Sequence, residues 1–272
     1  MKKQAYTSAF ASIYDDIMGA VPYSLWYDYL QELLDYYQKK PESVLDLACG
    51  TGNMSLLFER DGYQVTGIDR SADMLKTAFR KTNKVKYICS DLTEFTTGKK
   101  FDLAYCVFDS INYILNLEEL KKVFKNVYNS LKDNGIFIFD MNTVSRIMDI
   151  EPGSTMINGD GYSCIWEDIV DRDNILWQVR LKIYLEDDER IYEELHQETS
   201  YPTEKVKLSL NEAGFNYVSI YNAYTFNNGD DDDNRIYYVI FKSKKHVKKK
   251  TVFSKLIKTI KIYYKTGLLG SE

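Results

Sequence analysis

The stretch Ser43-Val44-Leu45-Asp46-Leu47-Ala48-Cys49-Gly50-Thr51-Gly52 decides the fold of this 272-residue chain. Its short apolar run stops at two closely spaced glycines, and residues 53–61 then resume with helical character. This order predicts a β-strand, a tight turn and an α-helix. A glycine turn lets a ligand approach the backbone closely, and the unpaired N–H groups at a helix N-terminus attract an anionic group. The stretch therefore predicts a site for a nucleotide-like or carboxylate-bearing ligand.

The same strand-and-helix unit repeats further along the chain. Strand-like runs lie at residues 64–69, 86–89, 101–108 and 136–140, and helical runs lie at 71–80 and 117–131. Alternating strands and helices form a parallel sheet that is covered on both faces. Residues 44–141 therefore predict a doubly wound α/β fold with a Rossmann-like sheet.

The segments that flank this core have other patterns. Residues 8–38 are predicted to be helical, with a break at Pro22. Residues 155–201 hold long runs of strand-like alternation between acidic turns, which predicts an inserted antiparallel sheet. A last helix at 204–213 and a hairpin with strands at 217–226 and 235–242 complete the fold. We expect an N-terminal helical lid with the α/β core at 1–142, the inserted sheet at 143–202, the completion of the core at 203–243 and a basic helical tail at 244–272.

Two further acidic residues occupy positions that suit a nucleoside. Asp69 lies 17 residues after Gly52, at the end of the second predicted strand, and Asp91 follows the third strand directly. An acid that ends the second strand can accept both hydrogen bonds of a ribose diol. Because the carboxyl ends of parallel strands share one sheet edge, we expect Asp46, Asp69 and Asp91 to line one crevice. Unrelated helix caps are the alternative.

Residues 44–53, 67–75 and 90–92 resemble the first three signature motifs of class I S-adenosylmethionine-dependent methyltransferases. The resemblance implies a seven-stranded sheet and S-adenosylmethionine as the cofactor, with the first motif along the methionine moiety, Asp69 on the ribose and Asp91 at the adenine. Ser55 stands where a dinucleotide fold has its third glycine. The candidate cofactor-binding residues are Tyr14, Asp46, Ala48, Cys49, Gly50, Gly52, Asp69, Arg70, Met74, Asp91, Leu92 and Phe108.

Residues 8–242 resemble a branch of bacterial small-molecule methyltransferases that is similar to sugar-amine N,N-dimethyltransferases. The chain has Tyr113 where the sugar enzymes carry a histidine, a departure that concerns the acceptor and not the cofactor. We therefore expect an enzyme that transfers a methyl group to a nitrogen or oxygen of a small-molecule acceptor by in-line displacement. A noncatalytic S-adenosylmethionine-binding scaffold protein, recruited through its basic tail, is the alternative.

Methyl transfer depends on orientation and desolvation and requires no dedicated nucleophile. Some group must still accept the proton of the acceptor, and the candidates are Tyr14, Asp109 and Tyr113. For Tyr14, the family resemblance implies instead a lid residue whose hydroxyl contacts the methionine end of the cofactor, and a purely structural packing role is the further alternative. For Asp109, the alternative is a structural hydrogen bond. No metal site is expected, because the chain has only two histidines and the acidic run 230–233 is typical of a solvated turn.

The charge of the chain is unevenly distributed. Residues 1–241 carry 25 basic and 39 acidic side chains, whereas residues 242–272 carry ten lysines and one acid. A nucleic-acid enzyme usually spreads positive charge around its active-site face, so nucleic acid is not an expected partner. The absence of a signal-peptide-like run and of a long apolar run predicts a cytoplasmic protein.

The basic tail predicts an amphipathic helix over residues 244–265. Such a helix can dock on the acidic body or on the second subunit of a homodimer, lie on an anionic membrane surface, or remain a solvated tail. All three interpretations stay open from the sequence, and the second of them makes the protein peripheral to the membrane.

Overall fold

The computed structural model describes residues 5–250, which contain a seven-stranded sheet with helices on both faces. Its strands run in the order β10-β11-β5-β4-β1-β2-β3, with only β11 antiparallel to its neighbours β5 and β10. The strands are β1 (Ser43–Leu47), β2 (Gln64–Asp69), β3 (Lys86–Cys89), β4 (Phe101–Cys106), β5 (Leu131–Asn142), β10 (Tyr217–Asn222) and β11 (Arg235–Phe241). The predicted doubly wound fold with seven strands is confirmed.

Seven α-helices occur among residues 5–250. They are α1 (Ser8–Ile17), α2 (Tyr23–Tyr36), α3 (Asn53–Arg60), α4 (Ala72–Lys81), α5 (Leu117–Ser130), α6 (Val144–Met148) and α7 (Thr203–Ala213). The break predicted at Pro22 separates α1 from α2. The side chain of Ser71 accepts a hydrogen bond from the Met74 N–H and thereby caps α4.

The core lies on the two faces of the main sheet. One buried cluster joins α5 and α7 to the sheet, and a second joins α2 and α3 to the other face. The middle of β5, Ile136–Met141, is buried throughout and faces both layers. A continuous apolar strand of this kind is typical of a sheet that helices cover on both sides.

The inserted sheet is a separate four-stranded antiparallel layer, as predicted. Its strands are β6 (Gly153–Gly159), β7 (Tyr162–Asp171), β8 (Leu176–Leu185) and β9 (Asp188–Thr199), paired in chain order. The buried face of this sheet packs against α1 through Phe10 and Ile13. Helix α1 also contacts α4, so it lies between the inserted sheet and a helix of the α/β core.

Three predicted segment ends differ from the structure. β4 stops at Cys106 and not at 108, because Phe108 and Asp109 have left-handed backbone angles (φ 64° and 48°) that turn the chain. β10 stops at Asn222, and Tyr224 (φ 61°) lies in the turn that follows. β5 begins earlier than predicted, at Leu131, and its pairing with β4 shifts register after Phe101.

The first part of the basic tail lies against the body of the protein. Lys244–His246 form a short 3₁₀ helix. Lys250 then donates its backbone N–H to the Tyr36 carbonyl and its ammonium group to Asp35. The amphipathic helix predicted for 244–265 is therefore wrong for its first seven residues, since 247–250 are not helical, and residues 251–265 lie outside the described residues.

Candidate functional site

The glycine turn between β1 and α3 adopts a backbone conformation that restricts its residues. Ala48, Gly50 and Gly52 all have positive φ angles, of 56°, 54° and 77°. A Cβ atom on Gly52 would lie 2.7 Å from the Tyr87 hydroxyl and 3.0 Å from the Ala78 Cβ. Position 52 therefore requires glycine both for its backbone angle and for the close packing of α4 and β3 against the turn.

Two cavities open around this turn, where β1, β2 and β3 end. The first encloses about 520 Å³ of empty space and the second about 440 Å³, open solvent at their mouths included. The first is lined by Tyr6, Ala48, Asp69, Arg70, Ser90, Asp91, Leu92, Ser110, Tyr113 and Ile114. The second is lined by Tyr14, Tyr23, Asp46, Ala48, Cys49, Gly50, Thr51, Asn53, Met54, Val107, Phe108 and Ser110. Ala48 and Ser110 line both, so the cavities adjoin there.

Two carboxylates line the first cavity in positions that suit a nucleoside. Asp69 accepts hydrogen bonds from the backbone N–H groups of Gly50 and Ser71, at 2.8 Å each, so each oxygen keeps a lone pair for a further donor. Burial raises the pKa of Asp69, partly offset by these two N–H donors. Oδ1 of Asp91 accepts from the N–H and hydroxyl of Thr93. The pair can bind a ribose diol and an adjacent base.

Asp46 lines the second cavity as a buried carboxyl group. It is 2% exposed and accepts a 2.5 Å hydrogen bond from the Ser55 hydroxyl. Burial raises its pKa to about 7, and the negative charge of Asp69 contributes in the same direction. No ion pair with Asp46 occurs among residues 5–250, so a cationic group in the second cavity would stabilise the ionised carboxylate. The α-ammonium group of a methionine moiety would provide this charge.

Helix α1 closes the second cavity and is tied to the glycine turn. Oδ1 of Asp15 accepts from the hydroxyl of Thr51 at 2.7 Å and from the side-chain amide of Asn53 at 3.1 Å. Its Oδ2 pairs with Lys81 of α4 at 2.6 Å. Tyr14, one residue earlier, lines the cavity, and burial raises its pKa well above the usual value, so it keeps its hydroxyl proton. These contacts place α1 as a lid over the turn.

The segment that precedes α1 is held by a buried glutamate of the inserted sheet. Glu194 is fully buried and accepts from the backbone N–H groups of Tyr6 and Thr7, at 2.7 and 2.8 Å, and from the Thr7 hydroxyl. The Tyr6 carbonyl in turn accepts from the Ser71 hydroxyl at the start of α4. Tyr6 therefore bridges the inserted sheet and the start of α4 beside the first cavity, which it helps to line.

A chain of hydrogen bonds continues from Tyr6 into the inserted sheet. The Tyr6 hydroxyl donates to the Tyr113 hydroxyl at 2.9 Å, and the Tyr113 hydroxyl lies 3.1 Å from Nδ1 of His196. Nε2 of His196 lies 3.0 Å from Oε2 of Glu194. Since Glu194 accepts, the histidine proton belongs on Nε2, and Nδ1 accepts from Tyr113. Burial raises the pKa of Tyr113 well above its usual value.

Asp109 lies next to the cavities in a charged cluster. Its Oδ2 accepts from Arg235 at 3.0 Å and from the Asn142 amide at 2.6 Å. Arg235 also pairs with Asp140, which is fully buried. Burial raises the pKa of Asp140 to about 6, against the opposing effect of Arg235 and with a contribution from Asp109. Oδ2 of Asp109 is thus engaged in structural contacts, and its role in proton transfer stays a prediction.

The structure brings most of the sequence-predicted residues together. All the candidate cofactor residues except Gly52 and Met74 line one of the two cavities. Gly52 packs against β3 and α4, and Met74 is buried beside Gly50. Tyr113 lines the first cavity, whereas Asp109 lines neither of the two. The roles assigned to these residues stay predictions.

Several polar residues of the site were missed from the sequence. Glu194, His196 and Glu198 are all buried on β9, and Arg235 begins β11. The sequence feature that could have identified them is the spacing of three titratable residues at every second position, which places all three on one face of a predicted strand. Within residues 5–250 no cluster of three or more His, Cys, Asp or Glu side chains is arranged to bind a metal ion. In the acidic turn, Asp231 accepts hydrogen bonds from the backbone N–H and the hydroxyl of Thr203.

Comparison with known proteins agrees with this geometry. Residues 44–135 match a family model described as a methyltransferase domain. The chain is 30% identical over 244 residues to the putative methyltransferase YqeM of Bacillus subtilis, an alignment that covers 86% of this chain and 96% of the relative. It is 28% identical over 138 residues to the dTDP-4-amino-2,3,4,6-tetradeoxy-D-glucose N,N-dimethyltransferase of Saccharopolyspora spinosa, covering 50% of this chain and 55% of that protein.

Among solved structures, the fold is similar to that of an S-adenosylmethionine-dependent methyltransferase from Clostridium acetobutylicum. The TM-score is 0.74 and the sequence identity 29%, with 85% of this chain and 97% of that chain covered. The two adjoining cavities, the buried Asp46 carboxyl and the ribose-compatible Asp69 fit the methionine and adenosine parts of that cofactor. The chain therefore belongs to the class I S-adenosylmethionine-dependent methyltransferases and is an enzyme that uses S-adenosylmethionine.

Proposed function

We propose that the enzyme methylates the amino group of a small molecule. The observation that carries the small size of the acceptor is the closure of the site by its own N-terminal segment. Tyr6 covers the first cavity and Tyr14 the second, and buried or ion-paired carboxylates hold both in place. A folded polymer would have to displace these contacts, whereas a small molecule can be enclosed beneath them.

Two observations support nitrogen as the methylated atom. The Saccharopolyspora spinosa relative is named as an N,N-dimethyltransferase of an amino sugar. In the chain itself, Arg235 pairs with Asp109 and Asp140, and the charges of Arg235, Asp109 and Asp140 also act on Glu198, so that three carboxyl groups accompany one guanidinium. A site with excess negative charge favours a cationic ammonium group over a neutral hydroxyl. An amine therefore suits this part of the protein better than an alcohol.

The residues of the chain contribute orientation and exclusion of water. Bound S-adenosylmethionine supplies the methyl group on a sulfonium that already carries its leaving group. Asp69 and Asp91 would hold the adenosine part and Asp46 the ammonium group of the methionine part. Tyr14 and Tyr6 would exclude water from the two cavities, and the alignment of acceptor and methyl group would supply most of the rate enhancement.

The proposal is tested by a panel of matched amines and alcohols incubated with S-adenosylmethionine. The measurement is the formation of S-adenosylhomocysteine together with the mass of the methylated product. We expect turnover with amines and N-methyl products, and turnover confined to alcohols would overturn the choice of nitrogen. Methylation of an oligonucleotide or an intact protein at a higher kcat/KM than any panel member would overturn the small-molecule acceptor.

No helix within residues 5–250 is long and apolar enough to cross a membrane. We further propose a cytoplasmic enzyme that binds anionic membrane surfaces through a lysine groove. Lys39, Lys40, Lys245 and Lys248 line this groove, beside the N-terminal ends of β1 and β4 and away from the cavities. Burial lowers the pKa of Lys39, and the nearby charge of Lys248 lowers it further. Such crowding of like charges favours an anionic partner.

Sedimentation with phosphatidylserine-containing vesicles tests this surface. We expect the bound fraction to fall severalfold in a Lys245→Glu, Lys248→Glu double variant and to stay unchanged in the exposed control Lys84→Glu. Equal binding to vesicles of pure phosphatidylcholine, or equal binding by the double variant, would contradict the proposal.

A further inference from the structure

Glu198 is a buried carboxyl group whose second oxygen has no hydrogen-bond partner among the described residues. The residue lies near the end of β9 and is 6% exposed. Its Oε2 is buried and makes no hydrogen bond to any atom of residues 5–250. A buried carboxyl oxygen without a donor costs free energy, because it has lost its hydration and gained nothing in return. The fold would gain stability if a donor occupied this position.

No cationic side chain among residues 5–250 forms an ion pair with Glu198. Burial raises the pKa of Glu198 well above the usual value, and the negative charge of Asp109 contributes next. Arg235 opposes this shift, but its guanidinium group is already paired with Asp109 and Asp140. The guanidinium thus pairs with two carboxyl groups, and only its longer-range charge acts on Glu198. The missing positive charge is the one that a bound ligand would bring.

Glu198 itself is not among the residues that line the two cofactor cavities, but groups that interact with it lie at these cavities. The side-chain amide of Asn142, at the end of β5, interacts with both Glu198 and Asp109. It donates a hydrogen bond to Asp109, and its interaction with Glu198 favours the ionised form of that carboxyl group. Asp109 is followed directly by Ser110, which lines both cavities. The charge of Glu198 also acts on the Tyr113 hydroxyl, in addition to the larger effect of burial. In open α/β sheets, ligands bind at this carboxyl edge of the strands.

We propose that Glu198 binds the ammonium group of the acceptor and takes up the proton that this group must lose before methylation. The assignment rests on the proposed function as an amine methyltransferase and names the residue that prepares the amine. An N–H group of the acceptor donates to the unpartnered Oε2. Asp109 and Asn142 flank the same ammonium group, and Arg235 fixes Asp109.

The reaction balances in two steps. The ammonium group R–NH₃⁺ transfers one proton to the Glu198 carboxylate, which leaves R–NH₂ with a free electron pair and Glu198 as the neutral acid. The nitrogen pair then forms the new bond to the methyl carbon, while the sulfur–methyl bond breaks and its electron pair stays on sulfur. The products are R–NH₂⁺–CH₃ and S-adenosylhomocysteine. Burial makes Glu198 a stronger base than an exposed glutamate, which lowers the cost of the first step.

Binding of a minimal amine tests the subsite without knowledge of the acceptor. The probe is methylammonium chloride, compared with potassium chloride at equal ionic strength, on protein saturated with S-adenosylhomocysteine. We expect methylammonium to raise the Tm of the wild-type complex and to have no effect on Glu198→Gln. Glu198→Asp should keep part of the shift, and the control Glu167→Gln, a half-exposed carboxylate of the same inserted sheet paired with Arg180, should keep all of it. A full shift in Glu198→Gln, or none in the wild type, would overturn the assignment.

Turnover on the amine panel separates this assignment from the proposed function. We expect kcat of Glu198→Gln to fall at least a hundredfold at neutral pH and to recover as the pH rises, because alkaline solvent then deprotonates the amine. Cofactor binding by the variant, measured by the S-adenosylhomocysteine-induced Tm shift, should persist. Amine turnover that is unaffected by Glu198→Gln at every pH would overturn the role assigned to Glu198 but not the proposed amine methyltransferase activity. Turnover of alcohols alone would overturn both the role of Glu198 and the proposed activity.

Discussion

The backbone N–H of Tyr6 donates a 2.7 Å hydrogen bond to Oε2 of Glu194, a residue 188 positions later in the chain. This contact joins the segment over the first cavity to the inserted sheet. The same carboxylate accepts from the N–H of Thr7, so that it also caps the start of α1. The inserted sheet is therefore part of the device that closes the cofactor site.

Replacement of Glu194 by glutamine should open this closure. The amide keeps one acceptor oxygen but loses the charge that strengthens its bonds to the Tyr6 and Thr7 N–H groups, each worth roughly 1.5–3 kcal/mol to a charged acceptor. We expect radiolabelled S-adenosylhomocysteine to dissociate about tenfold faster or more, with an unchanged circular dichroism spectrum. The exposed Glu189→Gln on the same strand is the control. An unchanged dissociation rate would show that this contact does not hold the lid.

Asp69→Asn should abolish cofactor binding. The amide can still accept from one of the two N–H groups that hold Asp69, but its NH₂ group cannot accept from a ribose hydroxyl. Wild-type protein at a hundredfold excess of S-adenosylhomocysteine over Kd should gain about 2.7 kcal/mol of stability. We expect the accompanying rise in Tm to vanish in Asp69→Asn and to persist in Asp73→Asn on the adjacent helix. A retained rise would place the ribose elsewhere.

The affinity for the cofactor should depend on pH through Asp46. Its pKa of about 7 in the free protein lies above the value of 3.8 for an unperturbed aspartate, so the folded, cofactor-free protein holds a proton there that the unfolded chain releases. Its contribution to the free energy of unfolding is therefore full below about pH 4 and is lost as the pH rises toward 7.

The cofactor-free protein favours the protonated form of Asp46, whereas the ammonium group of a bound methionine moiety would favour the ionised carboxylate. Binding then releases the proton, and the Kd should fall about tenfold between pH 6 and pH 8. Titration calorimetry in two buffers of different ionisation enthalpy measures both the Kd and the protons released. In Asp46→Asn the dependence over this window should disappear. A wild-type Kd that is flat from pH 6 to 8 would contradict the assignment.

Two glycines with similar backbone angles allow the packing at the turn to be measured. Gly52 (φ 77°) has no room for a Cβ, whereas Gly62 (φ 87°) has no atom within 4 Å of that position. Gly62→Ala should cost only the strain of a left-handed residue, about 1–2 kcal/mol. Gly52→Ala should cost a further 1–3 kcal/mol, roughly, because Tyr87 must move. Urea unfolding measures both, and equal losses would show that the turn is not tightly packed.

The sequence was sufficient to predict the site residues that lie at the ends of successive strands. Asp69 ends β2 and Asp91 comes just after β3, so the parallel sheet alone brings them together. The partners of Glu194, His196 and Glu198 were not predictable, because they depend on how β9 pairs with β8 and on which face of the inserted sheet meets α1. The end of β4 was mispredicted for a related reason: Phe108 is apolar, but its ring stacks on Trp26 while its backbone leaves the sheet.

The bond between Tyr6 and Glu194 also sets an order of events during synthesis of the protein. The N-terminal segment is translated first, but its carboxylate partner is added 188 residues later. At translation speeds of about 5–20 residues per second, this delay lasts roughly 10–40 s. Until then the segment that precedes α1 lacks its carboxylate anchor, although Asp15 of α1 already has its partners Thr51, Asn53 and Lys81. The closure over the first cavity is therefore completed only after the ninth strand has left the ribosome.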